Sequence, residues 1–183
     1  MFENENEPSL TAIQWFNKGY DYDVKEDFDN AFFAYTKAIE LNPQDGDAYT
    51  NRGAIYDIKG EYDLAIADYS QAIALNPQDV DAYTNRGVAY DNKGEYDLAI
   101  TDYTKAIEIK PQQADSYGYR GNVYLGKGEY ELAISDYDQM IALHPQPVDV
   151  YMNIAFAYEK SGHYTSSQME AVKQKIRDLG GQI

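Results

Sequence analysis

The chain has 183 residues, 44% of them hydrophobic, with 31 Asp and Glu against 15 Lys and Arg and a formal net charge of −16. The hydrophobic content excludes a disordered chain. The charge excludes nucleic acid as a partner class, because that binding rests on neutralising phosphates with cations. With no Cys there is no disulfide framework and no thiolate chemistry, and no apolar run reaches the roughly 18 residues of a membrane span.

Residues 1–11 form an acidic lead-in without the basic and apolar regions of a signal peptide. Together with the absence of Cys, this leads us to expect a cytoplasmic protein. From Ala12 the chain keeps a beat of 34 residues. "KGEYDLAI" at 59–66 returns unchanged at 93–100 and as "KGEYELAI" at 127–134, and "AYTNRG" at 48–53 returns at 82–87 and as "SYGYRG" at 116–121. The expected units are therefore 12–45, 46–79, 80–113, 114–147 and 148–183. A fixed period of this size marks a repeat array whose units pack on their neighbours.

The first unit carries "WFNKGYDY" and "AFFAYTKAIELNPQD" in the same frame as the second. In the second, Ala48, Tyr49, Ala54, Ile55, Tyr56 and Ile58 follow a helical spacing. Gly60 interrupts it, as a left-handed glycine commonly does after a helix. Leu64, Ala65, Tyr69, Ala72, Ile73 and Leu75 make the apolar face of a second helix, which Pro77 stops at Asn76. Each unit thus reads as helix, tight turn, helix, turn. Small residues at Gly53 and Ala65 recur at Gly87 and Ala99 and at Gly121 and Ala133, where bulk would keep two crossing helices apart. The third and fourth units repeat the scheme, with Met140 in a place where the others carry Ala. The fifth keeps Tyr151, Tyr158, Gly162 and Tyr164. It then changes to Ser167, Ala171 and Gln174, and its tail, with Met169, Val172, Ile176 and Leu179 on one stripe, reads as a terminal capping helix.

These residues resemble the tetratricopeptide repeat family, whose pattern is an aromatic, a Leu-Gly pair, a Tyr, an Ala, an aromatic, an Ala and a Pro in 34 residues. The second unit supplies them as Tyr49, Arg52-Gly53, Tyr56, Ala65, Tyr69, Ala72 and Pro77, and the first as Trp15, Lys18-Gly19, Tyr22, Ala31, Tyr35, Ala38 and Pro43. The resemblance spans about residues 12–164. It implies an all-α, right-handed solenoid of five repeats, the last degenerate and capping. It also implies a non-catalytic protein–protein interaction scaffold whose first helices line a concave groove.

The residues themselves point away from catalysis. His144 and His163 are the only histidines, both in expected turns. No HExxH, phosphate-cradling loop or GxSxG is present, and the acids lack the spacing of a Ca²⁺ loop. We expect no cofactor and no metal site. All tyrosines but Tyr20 and Tyr119 fall on the recurring aromatic places, which disposes of a base- or sugar-stacking surface.

The groove stripe should run through the second, fifth, sixth, ninth and twelfth places of each unit. The sixth carries Asn17, Asn51, Asn85 and Asn153, interrupted by Tyr119. The row is similar to the asparagine ladder in the repeats of O-linked N-acetylglucosamine transferases and can hydrogen-bond an extended backbone. Inheritance with the "TNRG" duplication would produce the same row. The stripe also holds Asp47, Asp81, Asp115 and Asp149 at the second place and Asp23, Asp57, Asp91 and Glu159 at the twelfth. It has no cation but Lys160, so a carboxylate-gripping groove is excluded and a Lys/Arg-rich segment fits. Tyr20, Tyr119 and Phe156, with Phe16 and Met152, are candidate anchors. Packing near the two ends would equally account for Phe16. Arg52, Arg86 and Arg120 stand where the family has Leu. Each has an Asp in the second helix of its unit, Asp68, Asp102 and Asp136, and we expect three structural ion pairs. The expected partner is another protein or peptide; the alternative is self-assembly through solenoid ends, with Trp15, Phe32 and Phe33 as contacts.

Overall fold

The computed structural model describes residues 10–144 and 148–182. Most of the acidic lead-in, and the "PQP" expected to turn the fourth unit into the fifth, lie outside the described residues. Every regular element among those described is an α-helix. The chain divides into two compact units, Met1–Ala89 and Tyr90–Ile183. The first holds α1 (Ala12–Asp23), α2 (Phe28–Leu41), α3 (Gly46–Ile58), α4 (Tyr62–Leu75) and most of α5 (Val80–Asn92). The second holds α6 (Tyr96–Ile109), α7 (Ala114–Lys127), α8 (Tyr130–Leu143), α9 (Val148–Ser161) and α10 (Ser166–Asp178). No described helix is long and apolar enough to cross a membrane.

Local chemistry sets the helix ends. Asn42 and Asn76 leave the helical region before Pro43 and Pro77, as a residue preceding proline does. The Asp that closes each turn then caps the next helix. Asp45 Oδ1 accepts from Ala48 N (3.2 Å) and Asp79 Oδ1 from Ala82 N (2.9 Å), satisfying donors with no partner in the first turn. The two outermost helices start differently, with reciprocal capping boxes: Thr11 with Gln14 and Thr165 with Gln168. The tight turn inside each pair needs a left-handed residue. Gly60 and Gly128 take it at φ 75° and 76°. In the first pair Glu26 takes it at φ 58°, where a Cβ costs roughly 1–2 kcal/mol.

In the first unit α1 packs on α2, α2 on α3 and α3 on α4; in the second α7 packs on α6 and α8, and α9 on α8 and α10. One contact sets the spacing inside three pairs. A Cβ added to Gly19 would lie 2.6 Å from the Tyr35 ring, one on Gly53 2.8 Å from Tyr69, and one on Gly121 2.8 Å from Tyr137. The three rings are fully buried or nearly so, with Ala31, Ala65 and Ala133 beside them in the core. The last helix, α10, buries Met169 and Ile176 and leaves its opposite face exposed.

This packing reverses the usual sign of a helical Gly→Ala change. Gly126, in α7, has nothing within 4 Å of an added Cβ, so Gly126→Ala should stabilise by a few tenths up to about 1 kcal/mol through helix propensity. Gly53→Ala gains the same propensity yet must displace a buried ring, and should destabilise by about 1–3 kcal/mol. Urea denaturation followed by circular dichroism distinguishes the two; equal shifts for both would contradict the close-approach reading.

Candidate functional site

Side chains three and four residues apart on a helix share a face. In the first unit that face gathers Phe16, Tyr20 and Asp23 of α1 and Asp47, Thr50 and Asn51 of α3. With Asp79 and Asp81 at the start of α5 they line a hollow of about 330 Å³. Phe16 leans on Tyr35, centroids 5.7 Å apart, and below it the buried Tyr35 hydroxyl has no hydrogen-bond partner among the described residues. Asp79 is anchored, capping α5 and accepting from Thr50 Oγ1 (3.4 Å). Asp47 is not. Burial first, and then the neighbouring charges of Asp45, Asp79 and Asp81, raise its pKa above the ordinary carboxylate value. Burial alone raises Asp23. The hollow is a negative field edged by two aromatic rings, with the Asn51 amide on its wall.

In the second unit Asp115, Gly118, Tyr119 and Asn122 of α7, Tyr137 and Met140 of α8, and Asp149, Val150 and Asn153 of α9 line a hollow of about 230 Å³. Tyr119 stacks on Tyr103, centroids 5.7 Å apart and planes 23° from parallel. Tyr137 donates its hydroxyl to Asn122 Oδ1 (2.8 Å), which also accepts from Asn153 Nδ2 (3.3 Å). Burial, reinforced by Asp136 and opposed by the Asn153 hydrogen bond, pushes the Tyr137 hydroxyl up to about 12, so it stays a donor at neutral pH. Asn122 is the residue that sequence reasoning passed over. It stands at the ninth place of the groove stripe, where the two preceding units carry Ala54 and Val88.

The structure therefore brings Tyr20, Asp47, Asn51 and Asp81 into one hollow and Tyr119, Asp115, Asp149 and Asn153 into another. Asn17, Asn85, Asp57, Asp91 and Phe156 line neither. Asn17 is exposed on α1, while Asn85, Asp57 and Asp91 are half-buried, and burial raises the Asp91 pKa. Phe156 is exposed on α9 with Lys160 Nζ 5.4 Å above its ring. The histidines sit away from both hollows: His163 Nδ1 lies 2.8 Å from Glu131 Oε1, and His144 is exposed. Among the described residues no group of three or more His, Cys, Asp and Glu is placed to hold a metal ion.

Models described as tetratricopeptide repeat match residues 12–45 and 80–113, and 34–67 and 102–135; a further model, TPR repeat, matches 58–94 and 121–162. The chain belongs to the tetratricopeptide repeat family. The crystal structure of the MamA protein is similar to it, with 27% identity over 92% of this chain and 91% of that one and a TM-score of 0.82. So is that of YrrB, described as a TPR protein with an unusual peptide-binding site, with 20% identity over 92% and 86% and a TM-score of 0.76. The first TPR of Spaghetti (RPAP3), solved with the HSP90 peptide SRMEEVD, is 25% identical over 67% of this chain and 98% of that one, with a TM-score of 0.62. No curated protein matches the chain significantly. The architecture is the all-α tetratricopeptide solenoid type, with its last repeat a cap.

Within that repeat the arginines are occupied. Arg52 of α3 meets Asp68 of α4 with both fork nitrogens, Nε–Oδ2 2.7 Å and Nη2–Oδ1 2.8 Å, and turns Nη1 towards Thr36 Oγ1 of α2 (3.5 Å). Arg120 of α7 meets Asp136 of α8 at 2.8 Å twice and gives Nη1 to Thr104 Oγ1 of α6 (2.8 Å). Arg86 of α5 gives Nη1 to Ser70 Oγ (2.9 Å), and Asp102 is buried. Tyr49 and Tyr56 flank the Arg52 guanidinium, and Tyr117 and Tyr124 that of Arg120, at 5.7–6.0 Å. In both pairs the carboxylate hydrogen bonds hold the guanidinium pKa above its ordinary value against burial. Each of these two arginines thus clamps three helices.

Removing the cation alone strands a buried carboxylate, so Arg120→Ala should cost about 3–5 kcal/mol, and Arg120→Leu with Asp136→Ala far less. Denaturation midpoints of Arg120→Ala and of the double variant test this. Equal losses in Arg120→Ala and the double variant would show that packing, and not the unpaired charge, sets the cost.

Asp47 gives a pH signature. Its folded pKa lies above its unfolded one, so its contribution to folding is favourable at low pH and is lost as pH rises through the raised value. Asp47→Asn should therefore raise the melting temperature slightly at pH 7 and leave it unchanged at pH 3. A decrease at pH 7 would mean that the carboxylate has a stabilising partner instead.

Proposed function

We propose that the chain is a non-catalytic protein-interaction module whose first-helix faces bind an extended peptide that is basic or presents its backbone. One observation carries the reading. In each unit the first-helix face opens into a hollow where Asp carboxylates, an Asn amide and tyrosine lie side by side, and no Lys or Arg lines either hollow. Carboxylates with no cation beside them favour a Lys/Arg-rich segment and reject an acidic one. The Asn51 amide offers both donor and acceptor to a peptide group. The solved relatives described with a peptide-binding site or a bound peptide show that this fold is used in such a way elsewhere. The net charge of −16 would speed the encounter with a cationic segment and make it salt-dependent.

A second reading, self-assembly, draws on the first pair of helices, where Ile13 is 71% and Phe33 52% exposed and Trp15 packs edge-on against Phe33. Light scattering over a concentration series separates it from the first.

The direct test uses a fluorescein-labelled peptide of alternating Lys and Ser, with anisotropy recorded from low to high salt. Binding should weaken with salt without vanishing. Asn51→Ala should cost about 0.5–1.5 kcal/mol of affinity, and Asp47→Asn/Asp81→Asn should flatten the salt dependence. Lys59→Ala/Lys127→Ala, which touches ion pairs away from the hollows, should leave affinity unchanged. The opposite pattern would move binding off the first-helix faces.

A further inference from the structure

We infer that the hollow between α7, α8 and α9 is a pocket for one arginine side chain of the bound peptide, and that it selects arginine over lysine. This rests on the proposal that first-helix faces bind peptide, and it adds which residue the second unit reads.

The argument starts from where the fourth repeat departs from the second and third. Those two agree on Thr50 and Thr84, on Asn51 and Asn85, and on Ala72 and Ala106; the fourth has Gly118, Tyr119 and Met140 in these places. It also has Asn122 where they have Ala54 and Val88. All four departures line the one hollow. They are also coupled. A Cβ on Gly118 would lie 2.6 Å from Met140 Sδ, so the threonine of the other repeats would force the Met140 side chain out of its present place. Losing that side chain clears the mouth of the hollow, and Met140 supplies an apolar wall.

The resulting surface matches an arginine part by part. Met140 and Val150 offer apolar contact for the methylene stem. Tyr119, stacked on Tyr103, is 41% exposed and lines the hollow; a planar guanidinium stacks on an exposed ring face, whereas an ammonium meets it only as a point charge. Asp115 and Asp149 line the hollow, and neither forms an ion pair with a described cation of this chain. They match the forked donors of a guanidinium. The Tyr137 hydroxyl, Asn122 Oδ1 and Asn153 Nδ2 are bonded to one another at 2.8–3.4 Å, so the floor is polar and partly engaged within itself, with Asn153 Oδ1 left as an acceptor for a donor-only head group. A neutral side chain of the same shape would meet the carboxylates without compensating charge, and an acidic one would be repelled.

The test is a set of amide NMR titrations of the full chain with three peptides, acetyl-Gly-Ser-X-Ser-Gly-amide, where X is Arg, Lys or citrulline. Citrulline keeps the planar shape without the charge. The arginine peptide should shift the amides of Gly118, Tyr119 and Asn153 and bind roughly fivefold to tenfold tighter than the lysine peptide, with citrulline weakest. Two variants restore the residues of the neighbouring repeats, which favours retention of the fold: Gly118→Thr/Met140→Ala closes the hollow, and Tyr119→Asn removes the stacking face. Each should abolish the arginine preference while keeping helical circular dichroism; if one fails to fold, the other decides. Equal binding of the arginine and lysine peptides, shifts centred away from α7 and α9, or a preference that survives the variants would overturn the pocket and leave the peptide-binding proposal standing. No shift on either first-helix face with any peptide, together with no binding of the Lys-Ser peptide, would overturn both.

Discussion

A tyrosine ring pressed against a stretch of helix that has no side chain is the contact on which three of the helix pairs depend. Tyr35, Tyr69 and Tyr137 lie against Gly19, Gly53 and Gly121 so closely that one added methyl group would overlap them. The contact brings the two backbones together and fixes where the first helix sits on the second. It thereby decides which side chains of the first helix are left over, and those are the ones that reach the hollows. It also orients the tyrosine hydroxyl. In the fourth repeat the hydroxyl emerges at Asn122 and joins the polar floor of the second hollow. In the first, where Tyr20 occupies that place, it finds no partner among the described residues. A single framework contact thus has different consequences for the surface, depending on one neighbour.

Neighbouring pairs are joined by polar links of two kinds. The lysines at the ends of first helices reach acids at the starts of earlier second helices, Lys59 to Asp29 and Lys127 to Asp97. These are exposed and screened by salt, and they act mainly as markers of alignment. The arginine clamps differ. Arg52 and Arg120 lie between tyrosines, hold a nearly buried carboxylate with two short hydrogen bonds, and touch a hydroxyl on the preceding helix. Desolvating both charges offsets most of what their attraction contributes. The clamp is therefore less a source of stability than a condition on neighbours: any shift of one pair along the next strands a charge. That accounts for Arg where the wider family places Leu, because a leucine would tolerate such a shift.

Most of this was legible in the sequence because it repeats. Helix, turn and core positions are restated every 34 residues, so a weak local signal such as Ala-x-x-x-Tyr becomes strong by recurrence. The link between Arg52 and Asp68, or Arg120 and Asp136, was visible for the same reason, since the two residue types appear and disappear together. What recurrence could not show is whatever occurs once. Glu26 takes a left-handed conformation that glycine holds in the other pairs, and no pattern in "DYDVKEDF" announces it. The groove residues were legible as a stripe but not as a site. A stripe read from helical spacing weights Asn17 and Asn51 equally, and only the structure separates them, leaving Asn17 exposed outside the hollow that Asn51 lines. Asn122 carries no signal of this kind, because Asn recurs at the sixth place but stands at the ninth only once among these tetratricopeptide repeats.

The same contrast locates specificity. A residue that recurs in each repeat presents the same chemistry at each step, and a ligand in contact with a uniform row gains affinity without register, since sliding it by one repeat restores the contacts. Rows such as the Asp of the second place therefore suit attraction and rejection, not discrimination. Register must come from positions where one repeat differs from its neighbours and where the difference changes the shape of the surface. The fourth repeat meets both conditions at once: Gly118 and Met140 exchange bulk across two helices, and Tyr119 replaces the amide between them. Its other departures from residues that the second and third repeats share are of different kinds: Leu125, in place of Asp57 and Asp91, packs against the core beside α8 and α9. Glu131 in place of Asp stays a solvated acid, there beside His163, and Ser116 in place of Ala is buried and cannot touch a ligand. On the proposed reading, the shared acids would attract a cationic peptide and the hollow of the fourth repeat would set its register.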